Sequence, residues 1–207
     1  MLSTLIFTVI SYLSGGLLFA KYFGYLFAKK DIVTQSDDQN PGAYNAFSKG
    51  GIACGCATAF CDMAKGFLPV FIYHSFFATN AWGIALVLAA AVVGHCFPIF
   101  HKFKGGKGIS VSFGSLMGLA PNLVSVTVLG ITFIVFSIII KITPNFLRTL
   151  VCFSLAALLM PIFLHDAAIY AGYLFITGTV TAKLLASRER HERIAFCLLP
   201  FLHHSNK

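Results

Sequence analysis

Lysines and glycines crowd together at one place in this chain, where a long apolar run ends. Residues 94–108 read Gly-His-Cys-Phe-Pro-Ile-Phe-His-Lys-Phe-Lys-Gly-Gly-Lys-Gly, and the apolar run covers 81–100. Ammonium groups and unshielded glycine N–H groups are donors that bind anions, and phosphate is the obvious candidate. The segment therefore predicts a phosphate site where a helix leaves the membrane. The simpler alternative is a glycine turn in a cytoplasmic loop that the lysines mark.

Two other polar segments and one charged pair accompany this loop. Residues 38–45 read Asp-Gln-Asn-Pro-Gly-Ala-Tyr-Asn, which favours tight turns over regular helix, and residues 188–193 read Arg-Glu-Arg-His-Glu-Arg. Asp62 and Lys65 lie three residues apart in apolar sequence and share a helix face. This pair either neutralises itself or forms the polar floor of a pocket near the inner surface.

Membrane helices are the elements that must position these segments. The chain has 207 residues, 57% hydrophobic and only 11% charged, whereas soluble domains carry about 25% charged residues. Apolar spans occur at 2–23, 51–77, 81–100, 109–120, 122–140, 149–164 and 167–186. A full crossing takes roughly 20 apolar residues, so 109–120 is short. It is kept as a crossing because a re-entrant segment there would put positive charge outside.

With seven crossings, almost every Lys and Arg falls on one side of the membrane, and the net charge of +8 follows the positive-inside pattern rather than indicating nucleic acid. The N-terminal run lacks a basic flank and a convincing cleavage site, so it is taken as the first span. We predict an all-α integral membrane protein with seven transmembrane helices, the N-terminus outside and the C-terminus cytoplasmic. Residues 1–207 are expected to form a single polytopic domain.

Several familiar sites are excluded by residue spacing. A nucleotide-binding P-loop needs a hydroxyl residue after its lysine, and Gly108 follows Lys107. His95 and His101 are six residues apart across a proline, which is a poor zinc pattern, and the six cysteines form no CxxC pair. A nucleophilic Gly-x-Ser-x-Gly elbow is also absent. We therefore expect no metal and no cofactor.

The pattern Gly-His-x-Phe-Pro-x-Phe-x-x-Phe-Lys-Gly-Gly-Lys-Gly over 94–108 resembles the second signature motif of the bacterial acyl-phosphate:glycerol-3-phosphate acyltransferases, the PlsY family. Asp-x-x-Lys-Gly-x-x-Pro over 62–69 resembles the family's second membrane helix. The family's first motif, Ser-Gly-Asn-x-Gly-x-Thr-Asn-x-x-Arg, is kept only in part over 38–48. Asp38, Tyr44 and Ser48 replace its Ser, Thr and Arg. The third motif, His-Arg-x-Asn-x-x-Arg, is not reproduced.

The resemblance implies transfer of a fatty acyl group from acyl phosphate to the hydroxyl of glycerol 3-phosphate, giving lysophosphatidic acid and phosphate. It implies a bacterial plasma membrane location and a cytoplasmic active site. The partners would be the lipid bilayer, both substrates and the enzyme that forms the acyl phosphate. We expect His95 or His191 to assist proton removal, although a substrate phosphate could do so and His95 could be a packed helix-end residue. The expected substrate-binding residues are Asn40, Gly42, Asn45, Lys104, Gly105, Gly106, Lys107 and Gly108.

Two alternatives remain at this point. A paralogue with a different phosphorylated acceptor would account for the altered first motif. A transporter or a non-catalytic membrane scaffold belongs to another functional class. A transporter is disfavoured because only Asp62 and Lys65 lie deep in a span and no internal repeat is found.

Overall fold

Helices are the main elements of the part of this protein that the structure describes. The computed structural model describes residues 1–36, 38–78, 80–187 and 195–198. The helices are α1 Leu2–Gly15, α2 Phe19–Ala28, α3 Ala43–Gly50, α4 Ile52–Ile72, α5 Gly83–Cys96, α6 Ile109–Met117, α7 Val124–Ile134, α8 Asn145–Phe163 and α9 Ala167–Leu185. A π-helical turn extends α4 over Tyr73–Phe77 and another extends α7 over Val135–Ile139.

Five of these segments are long and apolar enough to cross a bilayer: Leu2–Ala28, Ile52–Phe77, Gly83–His101, Asn145–Phe163 and Ala167–Leu185. Val124–Ile139 is a shorter apolar helix. The predicted crossing at 109–120 contains only α6, whose nine residues rise about 14 Å, less than half of a hydrocarbon core about 30 Å thick. The all-α membrane class is thus confirmed. The count of seven crossings, the orientation of the termini and the single domain stay predictions.

Helix α5 lies at the centre because small residues let its neighbours approach closely. A methyl group on Gly15 of α1 would lie 2.0 Å from the carbonyl oxygen of Ala91, and one on Gly94 of α5 would lie 2.0 Å from that of Tyr12. Such backbone contact between small residues is how membrane helices associate without a hydrophobic driving force. The buried core around α5 includes Val87, Leu88, Val92, Leu116, Phe153 and Tyr173.

The first apolar span is interrupted between α1 and α2. The carbonyl of Leu17 in this break accepts a hydrogen bond from the Lys65 ammonium of α4. A carbonyl released from a helix within the membrane needs such a partner. The break therefore places a polar acceptor beside the charged pair of α4.

A short β-ribbon closes one end of the bundle. Strand β1, Ile140–Thr143, precedes α8 and pairs antiparallel with β2, Ala195–Leu198, so that Thr143 lies opposite Ala195. The sequence did not predict this pairing, which joins segments more than 50 residues apart along the chain. The ribbon brings the chain after α9 next to the beginning of α8.

Candidate active site

The glycine-rich loop folds back against the end of α5. Residues 102 and 103 adopt left-handed conformations, and the N–H of Phe103 donates to the carbonyl of Pro98 at 2.9 Å. The N–H of Gly106 donates to the carbonyl of His95 at 3.0 Å. A methyl group on Gly105 would lie 1.9 Å from that carbonyl oxygen, and one on Gly106 would lie 2.2 Å from His95 Nε2. Both glycines are needed for this close approach, and the Gly106 N–H is used inside the protein.

The loop ends at Gly108, where α6 begins. Gly108 has φ +81°, a left-handed conformation that favours glycine, and a side chain there would meet Cys96 Sγ at 2.9 Å. The first N–H groups of a helix have no partner within it and carry the positive end of the helix dipole. No acidic residue occupies the first turn of α6. The start of α6 is therefore suited to an anion.

Lys107, just before α6, forms an ion pair with Asp38 of the polar segment 38–45. Its Nζ lies 2.8 Å from Asp38 Oδ2. Asp38 Oδ1 accepts the Asn45 side-chain amide at 2.7 Å and the backbone N–H of Asn40 at 3.2 Å. Burial acts to raise the pKa of Asp38, but the hydrogen bond and charge of Lys107, together with Asn45 and Asn40, hold that pKa below its usual value. Asp38 is therefore a carboxylate at neutral pH.

A second charged cluster lies beneath the loop. Lys65 Nζ is 2.6 Å from Asp62 Oδ1 and 2.9 Å from His95 Nδ1, and all three residues are buried. An ammonium group paired with a carboxylate has only donors to offer, so Nδ1 of His95 is the acceptor. The ring proton then sits on Nε2. This tautomer makes His95 a neutral hydrogen-bond donor on its outer edge, and Nε2 has no lone pair for a proton.

The first of two neighbouring cavities gathers these elements. It measures about 230 Å³ and is bounded by the polar segment 38–45, the α5–α6 loop, the start of α6 and the start of α8. From α8 it is lined by Asn145, Arg148 and Thr149, which the sequence had not singled out as site residues. Arg148 directly precedes the apolar span predicted at 149–164, and a cation at the edge of a span was the one signal available.

The second cavity measures about 320 Å³ and shares Asn40 and Lys107 with the first. Lys104 and Lys183 also line it, and Lys183 lies at the end of α9. The Lys183 Nζ sits 5.3 Å from the centre of the Phe97 ring. Each cavity is also lined by a carboxylate, Asp62 in the first and Asp38 in the second, and the two cavities meet at Lys107.

The predicted site residues are largely brought together. Lys107 and Asn40 line both cavities, while Gly42, His95 and Gly108 line the first, and Lys104 and Gly105 the second. Asn45 lines neither cavity, and its side-chain amide donates a hydrogen bond to Asp38. His191 and the charged run around it lie outside the described residues. Among the residues that the structure describes, no three His, Cys, Asp or Glu side chains form a metal-binding group.

Comparisons with known proteins give one family throughout. The family model described as glycerol-3-phosphate acyltransferase matches residues 5–198. A glycerol-3-phosphate acyltransferase of Endomicrobium trichonymphae is 37% identical over 65% of this chain and 67% of its own length. That of Cupriavidus taiwanensis is 30% identical over 91% of this chain and 96% of its own length.

A crystal structure shares the fold. It is described as PlsY (YgiH), an integral membrane glycerol 3-phosphate acyltransferase in its glycerol 3-phosphate form. The TM-score is 0.76 with 23% identity, over 87% of this chain and 88% of that one. The helices of this chain are therefore arranged in the fold of a known integral membrane protein.

Proposed function

We propose that this chain, which belongs to the glycerol-3-phosphate acyltransferase family, transfers a fatty acyl group from an acyl phosphate to glycerol 3-phosphate. Family membership makes the chain a membrane acyltransferase of phospholipid synthesis. The products are lysophosphatidic acid and inorganic phosphate. The acyl-phosphate donor, the acceptor and the roles of individual residues are the proposed part.

The pair of cavities that meet at Lys107 is the observation that carries this proposal. Both substrates bear a phosphate group, so the enzyme needs two anion sites close enough for an acceptor hydroxyl to reach an acyl carbonyl. A lysine shared by two cavities can contact the phosphates of both substrates. The two cavities therefore match a reaction that brings two phosphate-bearing molecules together.

The chemistry asks for positioning and charge stabilisation more than for a strong base. The acceptor oxygen attacks the acyl carbonyl carbon, a new C–O ester bond forms, and the bond from that carbon to the phosphate oxygen breaks. Negative charge builds on the departing phosphate, where the ammonium of Lys107, which lines both cavities, stabilises it. The proton of the attacking hydroxyl passes to a phosphate oxygen.

His95 is assigned a positioning role rather than that of the general base. Its Nδ1 accepts from Lys65, so Nε2 already holds a proton. The ring and the carbonyl of His95 hold Gly105 and Gly106 in place, and these two glycines set the position of the Lys107 backbone. Asn40, Gly42 and Asn45 shape the opposite polar segment and orient the acceptor. His191, the other histidine expected to assist, keeps that role only as a prediction.

The location follows from the charge pattern of the loops. The lysine-rich segments are assigned to the cytoplasmic side by the positive-inside rule, so the active site opens to the cytoplasm of a bacterial cell membrane. The acyl group must arrive already activated, from an enzyme that forms acyl phosphate. The bilayer then receives the lysophosphatidic acid.

Turnover by the purified full chain in detergent, with palmitoyl phosphate and labelled glycerol 3-phosphate, tests the proposal. Lysophosphatidic acid should form with palmitoyl phosphate and not with palmitoyl-CoA. The matched control is Lys141→Ala, because Lys141 is an exposed cation on β1 that lines neither cavity. Product from another phosphorylated alcohol, with none from glycerol 3-phosphate, would reassign the acceptor. No product from any acceptor, with well-folded protein, would favour a non-catalytic scaffold.

A further inference from the structure

Arg148 stands out in the first cavity because no carboxylate among the described residues forms an ion pair with it. Its Nη2 donates to Asn145 Oδ1 at 2.6 Å, and its Nε is buried without a hydrogen-bond partner among the described residues. Lys107, which also lines this cavity, is paired with Asp38, and the Asp62 carboxylate that lines it is paired with Lys65. Across the described part of the chain, no carboxylate forms a salt bridge with Arg148.

The position of Arg148 in its helix strengthens the argument. It lies in the first turns of α8, whose N-terminal end carries positive partial charge, and no acidic residue occupies the first turn. A cation at that end of a helix is electrostatically unfavourable. The starts of α6 and α8 both line the same cavity, so two helix dipoles and one guanidinium act on it together. An anion in the cavity would interact favourably with the guanidinium and with the positive ends of both helices.

We propose that Arg148 is a substrate-binding residue that holds a phosphate group in the first cavity, with Asn145 as its positioning residue. A guanidinium offers several planar donors and binds phosphate bidentately, which a lysine does not. Asn145, one helical turn earlier, fixes the plane of the guanidinium through Nη2 and leaves Nε to the ligand. The assignment rests on the proposed function for the identity of the substrates, but the phosphate site itself does not require turnover.

Binding of inorganic phosphate to purified protein tests the site directly. Increasing phosphate should raise the Tm of the wild-type protein. Arg148→Ala should raise the apparent Kd for phosphate about 10- to 100-fold, since hydrogen bonds between charged groups are lost. Arg148→Lys keeps the charge without the fork and should give an intermediate Kd. Lys141→Ala is the matched control and should bind as the wild type does.

Steady-state kinetics then identify which phosphate Arg148 holds. The KM that rises in Arg148→Ala, for palmitoyl phosphate or for glycerol 3-phosphate, names the substrate in the first cavity. Asn145→Ala should raise the same KM several-fold with little change in kcat. A role in stability alone would leave both KM values unchanged.

The outcomes separate this proposal from the proposed function. Phosphate binding that is lost in Arg148→Ala, without lysophosphatidic acid formation by the wild type, would keep the site and reject the reaction. Folded Arg148→Ala with a phosphate Kd and both KM values within twofold of the wild type would overturn the assignment. Should Arg148→Ala fail to fold, wild-type binding by both Arg148→Lys and Asn145→Ala would overturn it equally.

Discussion

Removing Lys107 should damage this protein in two ways, and a second substitution should repair one of them. The Lys107 side chain is 11% exposed and the Asp38 side chain 9%, with 2.8 Å between Nζ and Oδ2. In Lys107→Ala the substrate phosphate loses a charged donor, and the Asp38 carboxylate remains beside it without a counter-ion. In the double variant Lys107→Ala/Asp38→Asn the repelling charge is gone, while the amide keeps an oxygen for Asn45.

The two contributions can be estimated separately. Loss of a hydrogen bond between charged groups costs about 1.5–3 kcal/mol. For the repulsion we take a separation of about 8 Å between the Asp38 carboxylate and one phosphate charge. At an effective dielectric constant near 20, this repulsion is about 2 kcal/mol. We therefore expect Lys107→Ala to lower kcat/KM about 1,000-fold. The double variant should recover about 30-fold of this, the equivalent of about 2 kcal/mol.

Stability should follow the same order. Breaking a buried ion pair by removing one partner costs about 3–5 kcal/mol and breaking a surface pair at most about 1, so a pair about one-tenth exposed should cost about 2–3. Lys107→Ala should thus unfold at a lower temperature than the wild type, and the double variant should regain part of the loss.

The assay is initial-rate turnover with palmitoyl phosphate and glycerol 3-phosphate, for the wild type, both single variants and the double variant. Tm values in detergent verify that each variant is folded. A double variant no faster than Lys107→Ala would refute the view that the Asp38 charge acts on the substrate. Full activity of Lys107→Ala itself would refute the assignment of the loop.

Three further predictions concern the loop and its supports. Gly106→Ala should lower activity at least tenfold and reduce Tm, because its methyl group would lie 2.2 Å from His95 Nε2, whereas Gly178→Ala, with no atom within 4 Å, should be neutral or slightly stabilising in both assays. His95→Gln should keep activity within about tenfold and leave the pH–rate profile unchanged, whereas loss of the acidic limb of that profile would show that the histidine is a base. Because the pKa of Asp38 is lower in the folded state, its stabilising effect is present above its unfolded pKa of about 3.9 and is lost below it. The Tm difference between the wild type and Asp38→Asn should therefore shrink as the pH falls below about 4, and a difference that stays constant would contradict this.

Much of the site could be predicted because its signals are short-range. The lysines and glycines of 102–108 are contiguous, and their composition was enough to predict an anion site at a helix end. Asp62 and Lys65 were predicted to pair from a spacing of three residues, and they do. Local composition also predicted the turns before Gly42, although α3 begins at Ala43 and the predicted turn region extended to residue 45.

Features that depend on distant partners are harder to predict from the sequence. Charge parity predicts a crossing at 109–120, and this stays a prediction because α6 in that segment has only nine residues. The N–H of Gly106 was expected to bind phosphate, and it donates to the carbonyl of His95. The sequence left His95 open as a base and gave no sign of its hydrogen-bond partner Lys65, which lies 30 residues away along the chain.

Hydrophobicity, charge and contiguous motifs are properties of the chain itself, so the membrane class, the cationic glycine loop and the family could be read without a structure. The pairing of Asp38 with Lys107 across 69 residues, and the position of Arg148 of α8 in the same cavity as α6, could not. These contacts depend on how the helices pack. Close approach at Gly15 and Gly94 fixes that packing, and one-dimensional spacing does not encode it.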